Sequence, residues 1–253
     1  MKNNQFEAYN FFIPLVSCAI GLIIIWSSFN WASFTKGVQI SRIEITGNKL
    51  VPLDEYKNLV LPFYENSIFS IDLRKITRTM ERHTNVQSAQ VSRKLPNGIC
   101  IEILERIPIA MLNSKPPLLL DKQGVLFPLR GSFGDYSIPV LSHFTPVGNN
   151  STMLSQIHSK SMDSAKKILQ FLLDKNKSLY NNISELRLNT DDDFELILIE
   201  KPTKIVLGKH HLTERIKILL KFNEQLQIYK KRITDFKNLD FRFNTQIIAR
   251  EWV

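Results

Sequence analysis

Three patterns of apolar and polar positions divide the chain. In the first, polarity is almost absent: no charged residue occurs from Ala8 to Thr35, and Phe11 to Phe29 reads FFIPLVSCAIGLIIIWSSF. Nineteen residues at about 1.5 Å rise reach roughly 28 Å, close to the thickness of a bilayer's hydrocarbon core. The pattern predicts a single membrane-spanning helix over residues 11–34, preceded by a short tail, residues 1–10. A cleaved secretory signal would carry a basic start, a shorter apolar run and a small-x-small cleavage site. Here Lys2 is offset by Glu7, and Asn30-Trp31-Ala32-Ser33-Phe34 offers no such site. Trp26, Trp31 and Phe34 at one end suit an aromatic belt at a membrane interface better than the core of a soluble domain.

The second pattern mixes periods of two and 3.6. Val38 to Ile45 alternates as a strand should, and Thr46-Gly47-Asn48 closes it. Pro52 then opens a short amphipathic helix with apolar residues at 53, 56, 59 and 60. Asp72 is placed to cap a second helix, Leu73 to about Arg82, with Leu73, Ile76 and Met80 on its buried stripe. Val86 to Lys94 and Ile99 to Met111 read as two strands, joined by Leu95-Pro96-Asn97-Gly98 with its Asn-Gly hairpin signal. The order is β-α-α-β-β.

In the third pattern short strands alternate with long helices. Strands are expected at Leu118–Asp121, Gly124–Pro128 and Ile138–Leu141, then a helix from about Leu154 to Lys175. Further strands follow at Ile183–Leu188, Phe194–Ile199 and Lys204–Leu207. A helix capped by Thr213 runs from Glu214 to about Tyr229, and one closing strand region spans Leu239 to about Trp252. The fold class is α+β: an anchor, a β-α-α-β-β domain over 36–112, and a mixed β-sheet domain covered by helices over 113–253.

These fragments, taken in order, resemble the FtsQ/DivIB family of bacterial cell-division proteins, with its POTRA domain and FtsQ-type β domain. The matching residues are I-x-I-x-G-N (Ile43 to Asn48), Ser70-Ile71-Asp72 and A-x-V-x-R-x-x-P (Ala89 to Pro96). They continue with I-x-I-x-E-R-x-P-I-A (Ile101 to Ala110), L-L-D-x-x-G-x-x-F (Leu119 to Phe127), K-I-V-L-G (Lys204 to Gly208) and L-D-F-R-F (Leu239 to Phe243). The chain departs from the family at His83-Thr84-Asn85, where an aromatic residue is usual, at Gln246, where glycine is common, and in the spacing of its closing tryptophan. The resemblance implies a bitopic, non-enzymatic divisome scaffold in the cell inner membrane at the septum. Such a scaffold links early and late division proteins and regulates septal peptidoglycan synthesis. The N-terminus would be cytoplasmic and the domains extracytoplasmic. Locally the charges point the other way, because Lys36, Arg42 and Lys49 follow the segment while only Lys2 precedes it.

Net charge is +9, but the basic residues are scattered among acids, as in Asp72-Leu-Arg-Lys and Glu214-Arg-Ile-Lys. That is a solvated mixed surface, not a nucleic-acid track, although basic residues near the anchor would attract anionic lipid headgroups of the inner membrane. Cys18 lies in the membrane segment and Cys100 in a strand, so no disulfide framework is expected. Asp191-Asp192-Asp193 fits an acidic turn better than a cation site, and the adjacent His210-His211 pair lacks a third ligand. No catalytic constellation, phosphate loop or metal spacing is present, so no enzyme and no cofactor are expected.

What remains is interaction. A sheet edge accepts an extended partner segment through backbone hydrogen bonds. The closing region Leu239–Ile248 is the expected edge, and the resemblance implies that the FtsB partner of the FtsB–FtsL complex docks there. By position, Arg242, Phe243 and Trp252 become the partner-binding candidates; either Phe241 or Phe243 must face the core. The alternative reading is a POTRA-containing component of outer-membrane protein assembly or secretion. The stretch after the POTRA-like region is short and helical for a membrane β-barrel.

Overall fold

In the computed structural model, residues 4–34, 39–129, 138–144, 155–156, 159–243 and 245–252 are described. The chain divides into two compact units, Met1–Glu105 and Arg106–Val253. Helix α1 (Asn4–Phe34) is continuous through Pro14. Its described side chains are Pro14 and residues 16–31, nearly all of them exposed. Among the described residues no helix is long and apolar enough to cross a membrane. The side chains at 11–13, 15 and 32–34 of the expected span lie outside them, as does the tail's start.

The rest of the first unit holds strand β1 (Arg42–Thr46), helices α2 (Leu53–Val60) and α3 (Leu73–Glu81), and strands β2 (Val86–Lys94) and β3 (Gly98–Glu105). β3 is central: β1 pairs with it in parallel and β2 antiparallel. Periodicity explains the packing, since Tyr56, Val60, Ile76 and Met80 from the helices meet Ile99, Ile101 and Ile103 from alternate positions of β3. Asp72 caps α3 by accepting from the Arg74 N–H at 2.9 Å. Lys94 pairs with Gly98, so the hairpin loop is Leu95-Pro96-Asn97 and Gly98 already belongs to the strand. His83 supplies a ring that meets Tyr56 edge-on at 5.0 Å. Its Nδ1 accepts from the Asn85 N–H, which leaves Nε2 to donate to Glu55 at 2.9 Å.

Glu105 locks this unit. Its buried carboxylate accepts from the backbone N–H groups of Lys49, Leu50 and Val51 and from the Tyr56 hydroxyl, at 2.7–3.2 Å. Burial, then that hydrogen bond to Glu105, pushes the Tyr56 phenol well above its ordinary range. Gly47 sits nearby at φ +91°, and a Cβ there would fall 2.0 Å from the Ile103 carbonyl oxygen. Only glycine fits that crossing.

The expected strand Ile99–Met111 is in fact two strands in different sheets. β3 ends at Glu105, and β4 (Pro108–Leu112) opens the sheet of the second unit. The division therefore falls between Glu105 and Arg106, not after Leu112. Pro108 cannot donate to a ladder, and Arg106 turns to the almost fully buried Asp121 at 2.7 Å.

The second unit adds β5 (Leu118–Asp121), β6 (Val125–Pro128), β7 (Val140–Ser142), β8 (Ser155–Gln156), α4 (Lys160–Lys175), α5 (Lys177–Asn181), β9 (Ile183–Leu188), β10 (Phe194–Leu198) and β11 (Lys204–Gly208). It closes with α6 (Leu212–Ile228), β12 (Phe236–Asp240) and β13 (Ile248–Glu251). The described strands form one sheet in the order β13-β12-β11-β10-β9-β7-β4-β5-β6-β8. It is mixed, because β4–β7, β7–β9 and β11–β12 pair in parallel. α4 and α6 cover one face, burying Ala165, Ile168, Leu169, Leu172, Ile216 and Leu219 against Leu186, Leu196, Leu207 and Leu239.

Two helix starts differ from expectation. α4 begins at Lys160 instead of Leu154, and Ser155–Gln156 is a strand; Leu154 itself lies outside the described residues. The buried stripe of α4 begins at Met162. α6 begins at Leu212, preceded by His211 in the left-handed conformation, and Thr213 is inside the helix instead of capping it.

Candidate partner-binding edge

The closing region is not one strand. β12 is interior, between β11 and β13, and the chain leaves the ladder after Asp240 before returning as β13. β13 lies at one end of the sheet order, and Ile248, Ala249, Arg250 and Glu251 are all exposed. Asp240 pairs with Ile248 and Asn238 with Arg250, so Ile248 and Arg250 extend the face opposite the helices.

Arg242 stands at the turn out of β12. Its guanidinium meets Asp240 at 2.7 Å and Asp193 at 3.1 Å, and its own N–H donates to Asp240 at 3.0 Å. Both carboxylates are buried while the Arg242 side chain is 44% exposed. Burial alone would push the Asp240 carboxyl up; the hydrogen bonds and charge of Arg242 outweigh it and hold it below the ordinary range. Gly208, at φ +81°, makes room, since a Cβ there would lie 3.0 Å from Cγ of Arg242. The aspartate run is a turn, in which Asn189 Oδ1 accepts from the N–H groups of Asp191 and Asp193. Asp193 then faces Arg242.

The chain beyond β12 is held from α6. Arg215 donates to the carbonyls of Arg242 at 2.9 Å and Phe243 at 2.6 Å. Phe241 is buried at 1% exposure and packs edge-on against Phe222, whereas Phe243 is 43% exposed. The core-facing phenylalanine is therefore Phe241. Trp252 follows β13 at its far end, and its indole N–H donates to the Thr234 carbonyl at 3.2 Å. Beside it Lys231 pairs with Glu251 at 2.8 Å and lies 5.8 Å over the Phe236 ring. That hydrogen bond to Glu251 holds the Lys231 ammonium above the ordinary lysine range.

Arg242 and Phe243 thus share one end of the edge strand and Trp252 marks the other, about 13 Å away at strand rise. The strand between them, Ile248–Glu251, was not singled out from the sequence. Its IARE run has no alternation of burial to betray it. Behind the edge the open face carries a second ion cluster, in which buried Glu195 accepts from Arg187 at 2.9 Å and Lys204 at 3.2 Å. Among the described residues no cluster of His, Cys, Asp and Glu side chains could hold a metal ion.

Comparison with known proteins divides the chain within one residue of the boundary between the two units. Residues 38–106 match the family described as POTRA domain, FtsQ-type, and residues 107–250 match FtsQ/DivIB, C-terminal related. The chain is 26% identical over 224 residues to the cell division protein FtsQ of Rhodothermus marinus, covering 85% of this chain and 79% of that protein. It is 24% identical over 241 residues to the cell division protein FtsQ of Syntrophotalea carbinolica, covering 94% and 80%. A shorter stretch of 103 residues, 40% of this chain and 36% of the other, is 28% identical to the FtsQ of Xanthomonas campestris pv. campestris.

Proposed function

This chain belongs to the FtsQ/DivIB family of cell-division proteins, and on that footing we propose that it is a bitopic, non-enzymatic scaffold of the divisome. In this reading α1 anchors it in the inner membrane with the N-terminus cytoplasmic. The POTRA unit and the β domain stand outside, at the septum, linking early and late division proteins and regulating septal peptidoglycan synthesis. Family membership supports that orientation against the local charge bias of Lys36, Arg42 and Lys49.

The observation that carries the scaffold role is the β13 edge. It is a short strand whose four residues are all exposed, with an exposed aromatic residue beyond each end. A partner of the FtsB–FtsL type would add a strand along Ile248–Glu251, and Phe243 and Trp252 would take its side chains. Arg242 would present a fixed guanidinium at the rim.

Pull-down from membrane extracts with the full-length protein tests this. Ala249→Pro removes a backbone donor that points away from β12 towards the open edge, a position where a native fold tolerates proline. It is expected to abolish capture of coiled-coil division proteins. Undiminished capture by a variant with an unchanged circular dichroism spectrum would sink the edge assignment. Normal septation after complete depletion of the protein would sink the scaffold role itself.

A further inference from the structure

The first unit carries an apolar and basic surface where the chain arrives from α1. Gln39 forms an isolated antiparallel bridge with Ser67, and the Ile40 N–H donates to the Asn66 carbonyl at 3.1 Å. The loop between α2 and α3 is therefore pinned to the segment that leads into β1. Four residues lie between Phe34, the last of α1, and Gln39, so that the five steps reach at most about 18 Å. That loop exposes Leu61 at 57% and Phe69 at 56%.

The exposure of Phe69 is imposed by its neighbours. Ile68 and Ile71 are both buried, and Arg93 clamps their carbonyls, at 2.6 Å from Nε and 3.0 Å from Nη2. With the backbone fixed and both flanking isoleucines inward, the phenyl ring is held out in solvent. α3 starts directly after the loop and exposes Arg74, Lys75 and Arg78. Glu65 and Asp72 are the exposed acids among them, and Asp72 is occupied in part by capping α3.

We propose that this surface, Leu61 and Phe69 with Arg74, Lys75 and Arg78, docks on the anionic headgroup layer of the membrane in which α1 sits. The inference rests on reading α1 as a bilayer anchor. Large apolar side chains flanked by basic ones match an interface that is apolar below and negative above. The aromatic end of α1, with Trp26, Phe29 and Trp31 all exposed, is the end from which the chain proceeds to Gln39. Docking would fix the height and tilt of the POTRA unit over the bilayer, which a short linker alone does not.

Full-length protein carrying Cys18→Ser and Cys100→Ala, in vesicles with and without phosphatidylglycerol, provides the test. A fluorophore is attached through Ser70→Cys in the loop, Trp31→Cys in α1 or Lys201→Cys in the second unit, and lipids with shallow spin labels serve as quenchers. The loop label is expected to be quenched with phosphatidylglycerol and released by high salt, while the Lys201→Cys label stays in water. Replacing Arg74, Lys75 and Arg78 by glutamine should lower the docked-to-undocked ratio by on the order of 100-fold. Phe69→Ser should also release the label. A loop label that stays in water while the α1 label is quenched overturns the docking surface and leaves the anchor intact. Equal loop quenching without phosphatidylglycerol overturns the anionic headgroup as its partner. An α1 label in water, on protein that does not float with vesicles, overturns the anchor and the docking surface together.

Discussion

Glu105 and Asp240 are both buried carboxylates at the ends of strands, and the groups that satisfy them differ in kind. Glu105 is ringed by three backbone N–H groups from the segment before α2 and a phenol from α2 itself, all neutral donors. Asp240 is met by one guanidinium, which it shares with Asp193 and which remains 44% exposed. The first acid ties two distant pieces of chain together and leaves nothing for a partner to touch. The second holds a cation in place at the surface, beside an open strand edge. Similar burial thus serves fold in one unit and presentation in the other.

The largest expected effect comes from breaking the first. Glu105→Ala strands the buried Val51 N–H and Tyr56 hydroxyl, each worth about 1–3 kcal/mol when left unsatisfied, and releases the part-buried N–H groups of Lys49 and Leu50. The POTRA unit should lose at least about 3 kcal/mol, read on the full chain as lost amide-exchange protection at Lys49–Val51 and along β3. The second unit should keep its protection. Loss confined to the 49–51 turn, with β3 unaffected, would mean that Glu105 ties down only a local loop.

A smaller effect is expected from the second. Arg242→Ala removes one half-exposed partner from two buried aspartates, a loss of about 1–3 kcal/mol in the second unit. Partner capture should fall more than this stability loss explains, because the Phe243 segment keeps its other tie, the two bonds from Arg215. Capture that falls only in proportion to stability would make Arg242 a structural residue like Glu105 and erase the contrast.

The element order of the POTRA unit was legible because its helices and strands obey clean periods: Ile76 and Met80 on α3, and Ile99, Ile101 and Ile103 on β3. The ends of elements were not, and for a common reason. Apolar alternation runs straight through Arg106 and Ile107, so nothing local shows that Glu105 bonds backward to Lys49 while Arg106 reaches forward to Asp121. The same happened at the candidate site. Phe241 and Phe243 alternate as if in one strand, but Arg215, from the preceding helix, takes the carbonyls of residues 242 and 243 and draws the chain out of the ladder. The pairing of Arg242 with Asp240, two residues away, follows a local pattern; that with Asp193, far back in the chain, becomes visible only when β10 and β12 lie in one sheet.

The smallest effect is expected from acid, and it isolates the charge of Asp240. Asp240 is held below its ordinary range in the folded chain. A group with a lowered folded pKa contributes its stability above the unfolded value, about 4, and loses it as pH falls through the folded value. Arg242→Gln removes the hydrogen bonds and charge that oppose burial, so Asp240 would titrate higher and contribute less at neutral pH. The stability difference between the native chain and this variant should therefore be greatest near pH 7 and vanish as the pH falls below both values, read as amide exchange in β12. Glu195 is also held low, since Arg187 and Lys204 overcome the burial that would raise it, and it is untouched by the substitution. Both chains should keep that shared acid sensitivity, which gives the measurement its baseline. A difference that persists unchanged at low pH would mean that Arg242 acts through packing against Gly208 and not through the charge of Asp240.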